Sequence, residues 1–325
     1  MAFPLSRRRL LSTLVPAGLA PWFSPPAQSE AASTGGIAFV GQSVSDLERS
    51  TGFYRALGGL EVLWERPIDP AISALEPGGS GGRMRMLAGG RGKICLMAFD
   101  DPSPQARAAR PVPVQGRGLT HICHQSPHDK GMWDRVLGQG ARAVSRTGGL
   151  VQLRSDVPVL YGYARDPDGT MLEVEHIMTP GEDWSYRMSH VAMAVADIER
   201  SVGFYTSLFG RPPRERRRSL SSATLDATAD LDRVVLDVAW FNPGGIELEI
   251  WQYVSHPPAI LGDRPVAAHG YNMVVYAVED AAAALGALVA AGGRSISEPE
   301  PASGLGGRIA FGRDPDGVLI GLSQT

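Results

Sequence analysis

Asp46-Leu47-Glu48-Arg49-Ser50-Thr51-Gly52-Phe53-Tyr54 returns 151 residues later as Asp197-Ile198-Glu199-Arg200-Ser201-Val202-Gly203-Phe204-Tyr205, with seven of the nine positions identical. A second phrase, Arg165-Asp166-Pro167-Asp168-Gly169, returns as Arg313-Asp314-Pro315-Asp316-Gly317 at an offset of 148. Two distant phrases that repeat at nearly one spacing imply that the whole unit between them is duplicated. The 325 residues are therefore read as two similar domains, 36–180 and 185–325, each near the usual domain size of about 150 residues.

Each domain divides again. The segments 36–100, 118–180, 187–254 and 269–325 each show an apolar strand, an amphipathic helix and then short strands rich in Val, Ile and aromatic residues. Ser45 or Asp46 and Asp197 are placed to cap helices whose apolar residues follow at helical spacing, and Gly58, Gly140, Gly210 and Gly292 stand where helices stop. Asp-Pro-Asp-Gly is turn chemistry: Pro presets φ and Gly takes a left-handed position. It reads as a hairpin before the last strand of its unit, with no catalytic role.

Composition narrows the function. The formal charge is −3, with 31 Lys plus Arg against 34 Asp plus Glu, so there is no electrostatic footprint for nucleic acid. Hydrophobic residues at 43% with 39 Gly and 25 Pro describe a turn-rich globular protein and exclude disorder, collagen and coiled coil. Only Cys95 and Cys123 occur, which excludes a disulfide framework and a cysteine-based zinc cluster. Any metal must be held by His and carboxylate.

A βαβββ unit repeated four times, with a strand, Asp and helix opening that ends in Phe-Tyr and with Asp-Pro-Asp-Gly before the last strand, resembles the vicinal oxygen chelate superfamily. That family includes glyoxalase I, methylmalonyl-CoA epimerase, extradiol dioxygenases and the fosfomycin and bleomycin resistance proteins. The resemblance covers nearly all of the chain after its first thirty residues. It implies an α+β fold of two tandem glyoxalase-like domains with cupped mixed sheets, and metal ligands on the first or last strand of a unit, pointing into the cup.

Carried over by register, the first-strand position falls on His121 and His190. The last-strand position falls on Glu173, four residues beyond the glycine of Asp-Pro-Asp-Gly, and on Glu249 in Glu249-Ile250-Trp251-Gln252-Tyr253, which resembles the family's Glu-Leu-Phe-Gln-Tyr strand. Units one and four fail the same test. Their positions are Phe39, Asn272 and Gly321, and the strand Ile94-Cys95-Leu96-Met97-Ala98-Phe99 has no carboxylate. In fused proteins of this family the resemblance implies that units pair across domains. One complete site, His121, Glu173, His190 and Glu249, is therefore expected between units two and three. Strand side chains alternate, so Glu175 and Glu247 face the same side as Glu173 and Glu249 and remain alternatives. His124 and His176 have the opposite parity and are expected to face the helices or solvent. His128, His256 and His269 receive no role.

Two His and two carboxylates leave open positions on an octahedral ion, which suits one divalent first-row metal: Fe, Mn, Co, Ni or Zn. A substrate with neighbouring oxygens would chelate it, and Glu173 or Glu249 would take a proton if it leaves the metal. With one carboxylate out of the shell, two His and one Glu form a facial triad for oxygen chemistry. The expected activity is that of a metal-dependent lyase, isomerase or extradiol-type dioxygenase on a small molecule. The alternative is a metal-free binding protein of the bleomycin-resistance type. Arg214, Arg216, Arg217 and Arg218 read either as a lure for an anionic substrate or as a solvated strand. Core packing is the expected job of Tyr161, Tyr163, Trp240 and Trp251.

Residues 1–31 read as a signal peptide. Ser6-Arg7-Arg8-Arg9-Leu10-Leu11 resembles the twin-arginine export motif, an apolar run to Phe23 is too short and too broken by proline to span a bilayer, and Ser29-Glu30-Ala31 offers a cleavage site. The expectation is a periplasmic or secreted protein without a membrane anchor, which argues against the mostly cytoplasmic glutathione and coenzyme A substrates.

Overall fold

The computed structural model describes residues 34–178, 183–258, 263–305 and 307–324. The segment 1–31 read as a signal lies outside them.

Unit one runs β1 (Thr34–Ser43), α1 (Leu47–Arg55), β2 (Glu61–Pro67), α2 (Pro70–Ser73), β3 (Gly82–Gly89) and β4 (Gly92–Phe99). After α3 (Pro104–Ala108), unit two runs β5 (Gly118–Ser126), α4 (Met132–Gly138), β6 (Arg142–Ala143), β7 (Val151–Arg154), β8 (Val157–Arg165) and β9 (Met171–Ile177). Unit three comprises β10 (Arg187–Ala194), α5 (Ile198–Phe209), β11 (Glu215–Leu220), α6 (Ala223–Ala229), β12 (Leu236–Phe241) and β13 (Glu247–Tyr253). Unit four comprises β14 (Gly270–Val278), α7 (Ala281–Ala290), β15 (Arg294–Ala302), β16 (Gly307–Arg313) and β17 (Leu319–Gln324).

The strands form two sheets, and neither belongs to one half of the chain. One has the order β15-β16-β17-β14-β1-β4-β3-β2, joining units four and one; the other has the order β11-β12-β13-β10-β5-β9-β8-β6, joining units three and two, with β7 added beside β8. At each centre two first strands pair antiparallel, β1 with β14 and β10 with β5, and each first strand pairs parallel with the last strand of its own unit. This mixture makes the sheets α+β in character and sets four first and last strands side by side in each.

The repeated phrase makes the helices that cover the sheets. Asp46 accepts from the Arg49 N–H at 2.9 Å, and Asp197 accepts from Glu199 and Arg200 N–H at 3.0 and 3.1 Å, satisfying donors that a helix start otherwise leaves unpaired. Phe53, Tyr54 and Leu57 from α1 and its end, with Phe204, Tyr205 and Leu208 from α5 and its flank, lie in the main apolar core. α5 stops at Gly210, whose φ of +66° is a conformation that other residues adopt at a cost.

The Asp-Pro-Asp-Gly segments are turns, as read, but they also act as ties. Asp166 accepts from the N–H groups of Asp168 and Thr170, while Asp168 receives the Ser45 N–H at 3.0 Å, the Ser45 hydroxyl and Arg49, anchoring unit two to the start of α1. Asp316 does the same for unit four, receiving the Ala196 N–H, the Ser201 hydroxyl, Arg200 and Arg117.

The two cups differ in what fills them. In the sheet of units one and four, Phe39, Met84, Met86, Cys95, Met97, Met273 and Phe311 are buried in one apolar cluster. Asn272 is turned to structural use: its amide donates to Val266 and Ala268 carbonyls at 2.7 and 2.6 Å and its oxygen accepts from Arg264. A side chain on Gly321 would meet Val275 Cγ2 at 2.9 Å. Gly41 pairs with Cys95 as Ala192 pairs with Glu249, so Cys95 occupies the fourth position, and burial pushes its thiol up to about 12.

Candidate metal centre

His121 on β5, Glu173 on β9, His190 on β10 and Glu249 on β13 come from the four adjacent central strands of the second sheet and meet inside its cup. Glu173 Oε2 lies 3.0 Å from His121 Nε2 and 3.2 Å from His190 Nε2; Glu249 Oε2 lies 3.2 Å from His190 Nε2 and 4.0 Å from His121 Nε2. All four side chains are buried. Donors bound at about 2.1 Å and at right angles are about 3 Å apart, so this spacing is that of ligands around a first-row ion.

The hydrogen bonding of His121 tests whether an ion fits. The Thr120 hydroxyl spends its hydrogen on the Ala192 carbonyl at 3.2 Å, so towards His121 Nδ1, also at 3.2 Å, it is an acceptor. Nδ1 therefore carries the proton, and Nε2 presents a lone pair to carboxylate oxygens. His121 Nε2 and Glu249 Oε2 are both buried without a hydrogen-bond partner among the described residues. Buried acceptors that face one another call for a cation, and a ring nitrogen fixed by its other N–H is how metal-ligating histidines are held.

Charge separates the two carboxylates. Burial alone would raise Glu173, but the imidazoles of His121 and His190 beside it outweigh that and hold the carboxyl below its ordinary range. For Glu249 burial prevails over the attraction of His190, and its carboxyl is pushed up. Burial opposes the charge of His190 too, yet Glu249 and Glu173 hold its imidazole above the usual value.

The two alternative carboxylates have partners of their own, although Glu175 still adds to the negative charge around His190. Glu247 is ion-paired with Arg214 at 2.9 Å, and Glu175 is bonded to Gln125. Arg214, Arg216, Arg217 and Arg218 are all paired with Glu199, Glu215 or Glu247 outside the cup, the solvated-strand reading of that run. His124 and His176 are buried on the helix side; neither faces solvent. Of the aromatic residues, the Tyr163 ring packs 4.9 Å from that of His121, while the Tyr161 hydroxyl and Trp251 Nε1 are buried without hydrogen-bond partners. Sequence reading missed Cys123, whose sulfur belongs with Glu173 and His190 to a second group of ligand atoms within 4.8 Å of one another. The same period of two that selects His121 also selects Cys123 and Gln125.

His124 gives a pH test of the scaffold. Burial, reinforced by His190 and His121, lowers its imidazole to about 3, and Nδ1 contacts the Tyr186 hydroxyl at 2.8 Å. A base depressed on folding contributes stability that is complete above about 6.5 and is lost as pH falls toward 3, at about 1.4 kcal/mol per unit. Asp166 and Asp314, raised to about 6 by burial, have the opposite sign and lose their contribution as pH rises through that value. We expect His124→Gln to flatten the acid side of the stability profile between pH 6.5 and 4 in urea titrations; an unchanged slope would assign the acid sensitivity to other groups.

A four-unit chain with paired cupped sheets and two His and two Glu in one cup defines a class, and the sequence profile agrees: residues 36–174 and 187–322 match the Glyoxalase/Bleomycin resistance protein/Dioxygenase superfamily. The chain belongs to that family. It is 28% identical over 142 residues to a putative lactoylglutathione lyase of Brassica oleracea var. gemmifera, covering 42% of this chain and 44% of that one. A probable lactoylglutathione lyase of Vibrio cholerae is 26% identical over 145 residues, covering 43% of this chain and 92% of its own. The chain thus spans less than half of the plant relative. In fold it is similar to glyoxalase I from Zea mays (TM-score 0.59, 18% identity, 89% of this chain and 92% of that one). It is also similar to a putative dioxygenase from Bacillus subtilis (0.57, 12% identity, 90% and 86%).

Proposed function

We propose that the cup of units two and three holds one divalent first-row metal ion through His121, Glu173, His190 and Glu249, and that the protein is a metal-dependent lyase or isomerase acting on a small substrate with neighbouring oxygens. The observation that carries this reading is the meeting of four buried donors from four strands, with His121 Nε2 and Glu249 Oε2 lacking any other partner. The lactoylglutathione lyase relatives support the reaction class.

An ion in this cup supplies Lewis-acid polarisation of a substrate oxygen. Glu249, whose carboxyl burial raises, would take the proton from the neighbouring carbon and return it when it is not holding the ion. Glu173 stays ionised between the two imidazoles as a constant ligand. Thr120 keeps His121 in its Nδ1–H form, and the buried ring of Tyr163 excludes water beside it.

Metal analysis of protein purified without chelator tests this. About one first-row ion per chain is expected, whereas metal-free protein that still binds small molecules would establish the bleomycin-resistance type of binder. Export is part of the proposal and rests on Arg7-Arg8-Arg9 with the apolar run that follows. Arg7→Lys with Arg8→Lys is expected to leave precursor in the cytoplasm; unchanged fractionation would end the twin-arginine reading.

A further inference from the structure

A cavity of about 990 Å³ lies away from the metal cup, where the segment after α3 passes the beginnings of β5 and β14. None of the four candidate metal ligands lines it. Leu75, Val112, Pro113, Leu119 and Val318 make its walls largely apolar, and its size is at the upper end of small-molecule sites, about 300 to 1,000 Å³. A smaller space of about 290 Å³ shares Arg117, Asp263, Asp316 and Gly317 with it, forming a polar extension.

The polar groups in this apolar chamber are unbalanced. Arg110, Arg117, Arg264 and Arg313 line it against two carboxylates, Asp263 and Asp316, in a chain whose formal charge is −3. Both carboxylates are also engaged by arginines that do not line the larger space: Asp263 by Arg294, and Asp316 by Arg200. Arg264 donates only to neutral acceptors: Asn272 Oδ1 at 3.1 Å, the Arg110 carbonyl at 3.0 Å and the His269 carbonyl. Arg313 donates to the carbonyls of Gly317 and Arg264, while its buried Nε has no hydrogen-bond partner and stands 3.7 Å from Asp263. Burial depresses both guanidinium groups below their usual range: Arg264 has no ion pair among the described residues, and Arg313 has only Asp263 at 3.7 Å, a carboxylate already paired with Arg294. An anion would relieve that cost, and the apolar walls would reward a hydrocarbon or aromatic body attached to it.

We propose that this cavity is a second ligand site, separate from the metal cup, for an amphipathic organic anion: a small molecule with one acidic head, seated against Arg110, Arg264 and Arg313, and an apolar body along Val112, Leu119 and Val318. A small inorganic anion would leave the chamber unfilled. A neutral apolar molecule would leave the guanidinium groups unanswered.

The test uses the full chain in EDTA, so that no carboxylate can be captured by metal, and isothermal titration with octanoate, octan-1-ol and acetate. Octanoate is expected to bind one to one, octanol about tenfold more weakly or worse, and acetate not measurably. Val112→Trp, which fills the chamber, and Arg110→Glu, which reverses charge at the exposed rim, are each expected to weaken octanoate by about tenfold or more without a change in the unfolding transition. His121→Ala is expected to bind octanoate as the parent does. Absence of octanoate binding, equal binding of octanol, indifference to both cavity substitutions, or loss of binding in His121→Ala would each overturn the proposal.

Discussion

His121→Ala or His190→Ala protein is expected to emerge from purification with little bound metal and with turnover reduced by well over the ~10 to 100-fold that loss of an outer-shell partner costs. Each histidine is one of four buried candidate donors, and its loss leaves two buried carboxylates with one imidazole between them. The carboxylates should divide. Glu249→Gln is expected to retain metal and lose turnover, because Glu249 has the raised carboxyl and the free oxygen. Glu173→Gln is expected to lose metal first, because its charge is what both imidazoles engage. Asn272→Ala, at the matching place in the other cup, should cost about 1 to 3 kcal/mol of stability through its lost hydrogen bonds and leave metal content unchanged. If both Gln variants kept metal and activity, Glu175 and Glu247 would become the residues to test.

The second large effect concerns cutting the chain between β9 and β10. Expressed apart, residues 34–178 and 183–324 each retain one strand pair of every sheet centre but lose its antiparallel partner, β14 for β1 and β10 for β5. Each half also keeps only one His and one Glu of the set. We expect neither half to bind metal as a monomer, and the two produced together to recover the site. Tight one-to-one metal binding by either monomeric half, measured by titration with the oligomeric state checked by sedimentation, would overturn the shared site. A homodimer of the first half would be informative in its own right, since two copies of unit two would bring two His and two Glu together.

What was legible beforehand was whatever repeats or alternates. The Asp46 and Asp197 phrases disclose the duplication, and the family resemblance, carried over by strand register, picks out four candidate ligand residues that meet in one cup. The proposed division of labour between Glu173 and Glu249 is not legible, because it depends on Glu173 lying within 3.2 Å of both imidazoles while Glu249 lies that close to His190 alone. Register equally could not show that Asn272 had been recruited to hold the 264–268 segment, or that Cys95 stands where Glu249 stands in the other cup, since β4 has no motif to count from. The arginines of 214–218 carried two readings because their partners, Glu199 and Glu247, are distant in sequence. The turn aspartates were read for φ angles alone, and their grip on the neighbouring helix start involves residues more than a hundred positions away.

The pairing of β1 with β14 also sets a timetable. Thr34 and Val278 are partners, so the first of the described strands to leave the ribosome waits until residue 278 before this edge is hydrogen-bonded. Until then an apolar strand with a free backbone edge is a template for pairing with any extended neighbour. The second sheet closes earlier, once β10 and β13 have emerged, so the cup with the candidate metal ligands can assemble while the methionine-filled cup is still open. Synthesis order thus makes the sheet of units one and four the slow and aggregation-exposed one, and a truncation near the C-terminus should be felt first as insolubility.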